Sequence, residues 1–173
     1  MGYLILMGVV LLIGFVAFTG APYVPSKRRD IVRAFSELYA IGPNDVLVDI
    51  GSGDGIVLRQ ASKLGAHAIG YEIHPILVVI SRFLSRGDTR VRVVFANFWR
   101  KALPLETTVV YTFGDSRDIN KMYQKIQHEA MRLNRELVFI TYGFDVPSVK
   151  PVKQVGAHFL YKVKPLQGTT KPV

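Results

Sequence analysis

Three glycines at alternate positions follow a short apolar run in Val46-Leu-Val-Asp-Ile-Gly-Ser-Gly-Asp-Gly-Ile56. The apolar run predicts a buried strand. The glycines predict a tight turn into a helix, where the backbone can approach a ligand without a Cβ in the way. Open α/β sheets bind their ligands at this carboxyl end of the strands. Asp49 stands two residues before the first glycine, and a carboxylate at a strand end suits a cationic amino group.

The glycine spacing separates two kinds of cofactor. A dinucleotide-binding turn requires G-x-G-x-x-G, whose third glycine would fall at position 56, but Ile56 stands there. The observed pattern is G-x-G-x-G, and the carboxylate of Asp49 does not suit a pyrophosphate. Nicotinamide binding is therefore disfavoured.

Two further predicted strand ends carry polar side chains. Glu72 lies 21 residues after Gly51, and its carboxylate can accept both hydroxyl groups of a ribose. Asn97, Phe98 and Trp99 follow the next predicted strand, where an amide and an aromatic ring could meet an adenine. Each signal alone is common in turns and solvated strand ends. Their order at successive strand ends predicts a single cofactor site.

An alternation of strands and helices must position these residues. The apolar periodicity and the turn residues predict strands at 45–50, 66–72, 90–96, 107–113 and 136–142, helices at 26–41, 55–64, 75–86 and 118–133, and a closing hairpin of 150–155 with 158–164. Such alternation implies right-handed crossovers. The predicted fold is α/β, a Rossmann-like, doubly wound and mostly parallel sheet over residues 22–166, followed by a tail at 167–173.

The N-terminal segment differs from the rest of the chain, because no charged side chain occurs between Met1 and Ser26. About 20 helical residues span the hydrocarbon core of a bilayer, and the apolar run predicts one transmembrane anchor at residues 1–21. A cleaved signal peptide is the alternative. It is disfavoured because no Lys or Arg precedes the run, and because cleavage after Ala21 would leave Pro22 as the first residue.

Lys27, Arg28 and Arg29 form the only charge cluster that flanks this segment. The positive-inside rule places the catalytic domain of such a single-pass protein in the cytoplasm. A prokaryotic plasma membrane is the predicted location, with the mitochondrial inner membrane as the alternative. Basic residues are unfavourable in the first turn of a helix, so we expect these three to face an anionic lipid surface.

The composition excludes several classes of site. The chain has no cysteine, which excludes disulfides and thiolate metal sites, and its four histidines are dispersed without metal-ligand spacing. No metal site is predicted. The 22 Lys and Arg residues against 13 Asp and Glu residues give a net charge of +9. Nucleic acid, anionic lipid or mere solubility could each explain this charge. The scattered distribution favours mere solubility, and the neighbouring apolar segment makes anionic lipid the favoured specific partner. Nucleic acid is unlikely because the Asn/Asp-Pro-Pro-Tyr signature of base-directed methyltransferases is missing from the sequence.

The run from Asp49 to Gly55, together with Glu72, resembles motifs I and II of the seven-strand (class I) methyltransferases. Four segments carry a closer resemblance: Pro22-Tyr-Val-Pro-Ser26, Gly51-Ser-Gly-Asp-Gly55, Gly70-Tyr-Glu-Ile-His-Pro75 and Asn97-Phe-Trp99. They are similar to those of the membrane-anchored lysine methyltransferases that act on the mitochondrial ATP synthase c-subunit and the adenine nucleotide translocase, with their prokaryotic relatives.

The resemblance implies S-adenosylmethionine as the cofactor and a lysine ε-amino group of a membrane protein as the methyl acceptor. The residues expected around the cofactor are Asp49, Gly51, Ser52, Gly53, Gly55, Glu72, Ile73, Asn97 and Phe98, with Tyr23 and Ser26 closing over it. Asp115, after the fourth strand, is the candidate for orienting the incoming ammonium group. Its alternative role is that of a solvated loop residue or a helix cap.

Other functions remain open from the sequence. The acceptor could be a membrane-borne small molecule such as a quinone or a lipid. The chain could also be an inactive membrane-anchored scaffold, although the retained Asp49, Glu72 and glycines disfavour that interpretation. An RNA methyltransferase is supported only by the net charge.

Overall fold

A computed structural model describes residues 2, 3, 7, 27–114, 116–147 and 149–165. The predicted anchor at 1–21 lies outside these residues except for positions 2, 3 and 7. Tyr23, Ser26, Asp115 and the predicted tail also lie outside them. Within the described part of the chain, no helix combines the length and apolar character that a membrane crossing requires.

The described residues form one seven-stranded sheet. Its strands are β1 (Val46–Ile50), β2 (His67–Glu72), β3 (Val91–Phe95), β4 (Val109–Phe113), β5 (Leu137–Tyr142), β6 (Lys153–Val155) and β7 (His158–Val163). Their order across the sheet is β3-β2-β1-β4-β5-β7-β6. The first five strands are parallel, whereas β7 is antiparallel to β5 and to β6. The predicted Rossmann-like sheet with a closing hairpin is confirmed.

The helices connect the strands in the predicted order. They are α1 (Arg28–Arg33), which continues as a π-helix (Ala34–Leu38), α2 (Ile56–Lys63), α3 (Pro75–Leu84), a short 3-10 helix (Phe98–Arg100) and α4 (Ile119–Leu133). Local residues set their ends: Pro75 occupies the first turn of α3, and Asn134 ends α4 in the left-handed conformation with φ 48°.

Alternation along β1 separates two apolar cores. Leu47 belongs to the core that packs under α1, α2 and α3, whereas Val48 and Ile50 belong to the core under α4. Successive strand residues point to opposite faces, so Asp49 lies on the same face as Leu47. The same rule places Glu72 on that face of β2, because Ala68 there belongs to the first core.

The first helix differs from its prediction over 26–41. It begins at Arg28 and changes to π geometry at Ala34, where the amide of Tyr39 donates to the carbonyl of Ala34 at 3.0 Å. The wider turn brings Ala34, Phe35 and Leu38 to the buried side of the helix. Apolar spacing alone does not predict such a change, because the packing against the sheet decides it.

Candidate active site

The glycine turn folds against the end of β2. Gly51, Gly53 and Gly55 have φ angles of 71°, 54° and 79°, which other residues rarely adopt. The amides of Gly51 and Ser52 both donate to the carbonyl of Tyr71, at 2.9 and 3.2 Å. A Cβ at Gly51 would meet nothing within 4 Å. The turn therefore presents an open backbone surface beside the ends of two strands.

Asp49 is buried at the carboxyl end of β1, with 3% of its surface exposed. Strand register places it between Gly70 of β2 and Tyr111 of β4. Burial raises the pKa of Asp49 well above its usual value, and the nearby carboxylates of Glu72 and Asp54 raise it further. A buried acidic cluster of this kind favours a ligand that brings positive charge.

Glu72 is held in a fixed orientation by the backbone. One oxygen, Oε2, accepts a hydrogen bond from the amide of Gly53 at 2.8 Å, and Oε1 accepts one from the amide of His74 at 2.7 Å. Each carboxylate oxygen can accept more than one bond. The carboxylate thus connects the glycine turn to the start of α3 and keeps acceptor capacity for a ligand.

The residues after β3 divide between surface and core. The amide of Ala96 donates to the carbonyl of Glu72 at 3.0 Å, which brings Asn97 beside the end of β2. Asn97 Oδ1 accepts from the amide of Trp99 at 2.9 Å and so caps the 3-10 helix. Phe98 is buried in the core on the α4 side, whereas Trp99 is 44% exposed. Trp99 is thus the exposed aromatic ring of this segment.

The predicted cofactor residues therefore differ in placement: Gly55 is buried behind the turn, Asn97 is half-buried after β3, and Phe98 packs in the core on the α4 side. Asp49, Ser52, Gly53 and Glu72 come together in a buried cluster, and Gly51 borders it on the outside. Ile73 follows Glu72 and is 36% exposed. Tyr23 and Ser26 are outside the described residues, so their contact with a cofactor stays a prediction, as does any role of Asp115.

An aromatic cluster at the ends of β4 and β5 was not predicted from the sequence. The rings of Phe113 and Tyr142 lie 4.8 Å apart, and Tyr142 stacks on His158 with 4.3 Å between the ring centroids. The hydroxyl of Tyr142 donates to Asp30 Oδ2 at 2.9 Å, which connects α1 to this edge of the sheet. Phe113 and Tyr142 each occupy the last residue of a parallel strand, and that position was the available signal.

His158 is kept neutral within this cluster. Burial lowers its pKa from 6.5 to about 4, although the negative charge of Asp30 acts in the opposite direction. Its Nε2 lies 2.9 Å from the hydroxyl of Tyr111, a residue of the strand next to Asp49. An imidazole with such a low pKa is a weak base near neutral pH.

A cavity of about 490 Å³ lies on the other face of β2 and β3. Tyr71, Arg92, Arg100 and Lys101 are among its lining residues, and no predicted cofactor residue is. The chemistry of the carboxylate cluster places the candidate site at the strand ends rather than in this cavity. In the described residues, no group of His, Asp and Glu side chains is suited to hold a metal ion.

Most of the described sheet lies in a stretch of the chain that matches a known protein family. Residues 49–153 match the ANTKMT methyltransferase domain. The chain belongs to this family. The matched range contains the glycine turn, Glu72, Asn97 and the aromatic pair Phe113 and Tyr142. The resemblance drawn from the sequence motifs is confirmed, and the chain carries an ANTKMT methyltransferase domain.

Two relatives of this domain are named as lysine N-methyltransferases of the ATP synthase c-subunit. The one from Xenopus laevis is 32% identical over 111 residues, which are 62% of this chain and 48% of that protein. The one from Mus musculus is 43% identical over 114 residues, which are 62% of this chain and 44% of that protein. The chain thus spans about half the length of these relatives.

The fold also has counterparts among solved structures. An RNA methyltransferase from Salinibacter ruber, in complex with S-adenosyl-L-homocysteine, superposes with a TM-score of 0.70 at 24% identity. The match covers 83% of this chain and 95% of that chain. At this level of identity the likeness supports the methyltransferase fold.

Proposed function

We propose that this chain is an S-adenosylmethionine-dependent methyltransferase that acts at a membrane surface on a lysine ε-amino group of a membrane protein. The observation that carries the proposal is the buried cluster of Asp49 and Glu72 beside the glycine turn, within a methyltransferase domain. The names of the relatives, which specify lysine and the c-subunit of ATP synthase, support the acceptor.

The residues of the turn fit S-adenosylmethionine. Its amino-acid part is cationic at the ammonium group, and Asp49 lies in an acidic environment that such a charge would relieve. Glu72 can accept from the ribose hydroxyls. The buried Ser52 Oγ has no hydrogen-bond partner among the residues that the structure describes, and Gly51 leaves space beside it.

The bound cofactor supplies an electrophilic methyl group on a sulfonium, and the protein has to deliver a neutral amine to it in line. Phe113 and Tyr142 are suited to exclude water from the acceptor, because both rings lie at the same strand edge as Asp49. Desolvation lowers the pKa of a lysine and favours its neutral form. No base is required from His158, and Asp115 remains the proposed residue for orienting the ammonium group.

The membrane location rests on the N-terminal segment and on the residues that follow it. We place the anchor at 1–21 and the domain on the cytoplasmic side of a prokaryotic plasma membrane, with the mitochondrial inner membrane as the alternative. Lys27, Arg28 and Arg29 are exposed at the start of α1 and are available to anionic lipid phosphates. The hydrogen bond between Tyr142 and Asp30 connects the start of α1 to the carboxyl ends of the strands, where we propose that the acceptor binds.

A ligand titration of the full chain in detergent tests the cofactor. We expect calorimetry to detect binding of S-adenosylmethionine and S-adenosylhomocysteine, but not of NAD, and Asp49→Ala to abolish it. The matched control is Glu106→Ala, which removes an exposed carboxylate before β4. A folded chain that binds neither adenosyl ligand would favour the inactive scaffold.

The acceptor is tested by methyl transfer from tritiated S-adenosylmethionine in membrane fractions. Label recovered as methyllysine after acid hydrolysis of the protein supports the proposal. Label extracted with the lipids would instead favour a quinone or lipid acceptor. Label in RNA would replace the lysine proposal with RNA methylation.

A further inference from the structure

Helix α3 carries its apolar side chains on the side that faces away from the core. Its outer face consists of Ile76, Val79, Ile80, Phe83 and Leu84, which are 42%, 65%, 40%, 61% and 48% exposed. These positions follow the spacing i, i+3, i+4, i+7 and i+8, which is the single-face spacing of an amphipathic helix. In a surface helix of a globular protein such an apolar stripe normally packs against the core. In α3 the stripe faces away from the core, so the orientation of the helix is inverted.

The inward side of α3 is small and polar rather than apolar. Val78 and Ser81 are the buried residues of the helix, and Ser85 is buried directly after it. Neither Ser81 Oγ nor Ser85 Oγ has a hydrogen-bond partner among the described residues. The small Ser81 lets the helix approach Gly55 so closely that a Cβ there would overlap its hydroxyl. The helix is thus seated by small residues, and its large apolar side chains remain available for another contact.

Arg82 fixes the helix in this orientation. Its Nε and Nη2 atoms donate to the carbonyl of Val93 on the edge strand β3, at 3.1 and 2.9 Å. A rotation that buried the apolar stripe would break both bonds. A contiguous apolar surface held in this way marks an interaction site.

The charges around α3 identify the partner as an anionic surface. Helix α3 and the turn after it, residues 73–90, contain three Arg residues and a single acidic residue, Asp88. The carboxylate of Asp88 already accepts from Ser62 Oγ and from the amide of Arg90. The guanidinium of Arg86 lies 4.3 Å from the ring centre of Phe83, at the border of the apolar stripe. An apolar face bordered by arginines is the composition of helices that lie in the interface of anionic membranes.

Two other occupants fit less well. A second copy of the chain would bring its own net charge of +9 against the same basic region. The apolar segment between Leu4 and Phe18 contains no acidic side chain that could pair with Arg82 or Arg86. An anionic lipid bilayer can cover the apolar stripe with acyl chains and pair the arginines with its phosphate groups.

We propose that the outer face of α3 inserts into the interfacial region of an anionic lipid bilayer. The helix starts at Pro75, three residues after the candidate site residue Glu72. Its insertion would therefore hold the carboxyl end of β2, and with it the candidate active site, close to the membrane. This contact is separate from the anchor at 1–21 and from Lys27, Arg28 and Arg29. The inference rests on the membrane location in the proposed function, but not on the identity of the methyl acceptor.

The absence of cysteine from the chain makes a site-specific test straightforward. The full-length variants Val79→Cys and Phe83→Cys are labelled with an environment-sensitive fluorophore and reconstituted into vesicles of phosphatidylcholine and phosphatidylglycerol. The control is Val152→Cys, since Val152 is 60% exposed beside β6 at the opposite edge of the sheet. We expect a blue shift and quenching by doxyl-labelled lipid at positions 79 and 83, but not at 152. Omitting phosphatidylglycerol should weaken the signal.

Each other outcome overturns the proposal. Labels at 79 and 83 that behave like the label at 152 would mean that α3 stays in water. A blue shift in vesicles without quenching by doxyl-labelled lipid would mean that the N-terminal segment covers the face. A shift that grows with protein concentration at constant lipid would mean a second copy. Cofactor binding and methyl transfer are measured on the same variants, so failure of the proposed enzymatic function is recognised separately from failure of membrane insertion.

Discussion

Asp49 is the residue at which stability and the proposed cofactor binding are opposed. Its carboxylate is buried and lies near two other carboxylates, so ionisation in the folded state is unfavourable without a ligand. A purely structural sheet would place an apolar side chain there, as at Leu47 on the same face. The retained charge is most simply explained by a cationic ligand that is present during function.

Replacing Asp49 with Asn should therefore stabilise the cofactor-free protein. The folded state holds the Asp49 proton more tightly than the unfolded chain, so its stability contribution is complete below pH 3.8 and is lost as the pH rises through the raised value. At neutral pH we expect Asp49→Asn to raise Tm by a few degrees while it abolishes binding of S-adenosylmethionine. Differential scanning calorimetry from acidic to neutral pH, with Glu106→Gln as the control, measures this. A lower Tm for Asp49→Asn at neutral pH would show that the charge is satisfied without the ligand.

His158 should make the stability of the folded protein fall as the pH becomes acidic. The unfolded chain binds a proton at the ordinary pKa of 6.5, whereas the folded state does so only near 4. Stability from this residue is therefore complete above pH 6.5 and is lost as the pH falls toward 4. We expect His158→Gln to flatten the fall in Tm between these two pH values. The control His67→Gln changes an exposed histidine at the start of β2, and an equal flattening by that variant would contradict the role of His158.

At the scale of elements, the glycine turn and α3 depend on each other. Gly55 is the N-cap of α2 and has a φ of 79°, and Ser81 packs directly on it. The turn at the site can keep its shape only while α3 lies close to it. The inverted polarity of α3 has the same origin, because a large apolar side chain in place of Ser81 would push the helix off the turn.

A double-mutant cycle at Gly55 and Ser81 tests this dependence. Gly55→Ala should cost about 2–4 kcal/mol, because a left-handed φ and a steric overlap act together. Ser81→Ala removes the overlapping hydroxyl and should recover part of that loss, but not the cost of the positive φ. Urea unfolding of the full chain in detergent measures the four variants. Additive effects in the cycle would mean that the two residues are not in the predicted contact.

At the scale of the whole molecule, only a short linker separates the proposed anchor from the domain that carries the candidate site. Residues 19–26 can extend over at most roughly 25–30 Å. The chain then enters α1, where Asp30 bonds to Tyr142 at the carboxyl edge of the sheet. The proposed anchor would therefore hold the candidate active site close to the bilayer, within reach of a membrane protein loop or a lipid headgroup.

Lengthening this connection should uncouple the site from the membrane. We expect insertion of a long Gly/Ser spacer after Ala21 to reduce methylation of membrane fractions severalfold, because the effective concentration of the acceptor falls with linker length. Affinity for S-adenosylmethionine should remain unchanged, and titration of the same variant provides that control. Undiminished methylation of the native acceptor would contradict a site restricted to the bilayer surface.

The sequence by itself determined the order of strands and helices and the strand ends at which the candidate site residues lie. Apolar periodicity and the positive-φ glycines are local properties, so the strand leading to Asp49 and the strand ending at Glu72 could be placed from the residues alone. The same local signals could not predict the π-helix at Ala34, because its cause is packing against the sheet.

Only the tertiary structure decided which side chains meet. Phe113, Tyr142 and His158 belong to three separate strands, and their contact depends on strand order, which no local pattern encodes. Phe98 turned into the core while Trp99 stayed exposed, although both follow the same strand. The outward stripe of α3 has the ordinary periodicity of an amphipathic helix. The stripe faces outward because Ser81 packs on Gly55 and Arg82 donates to the carbonyl of Val93. Those contacts exist only in the folded chain.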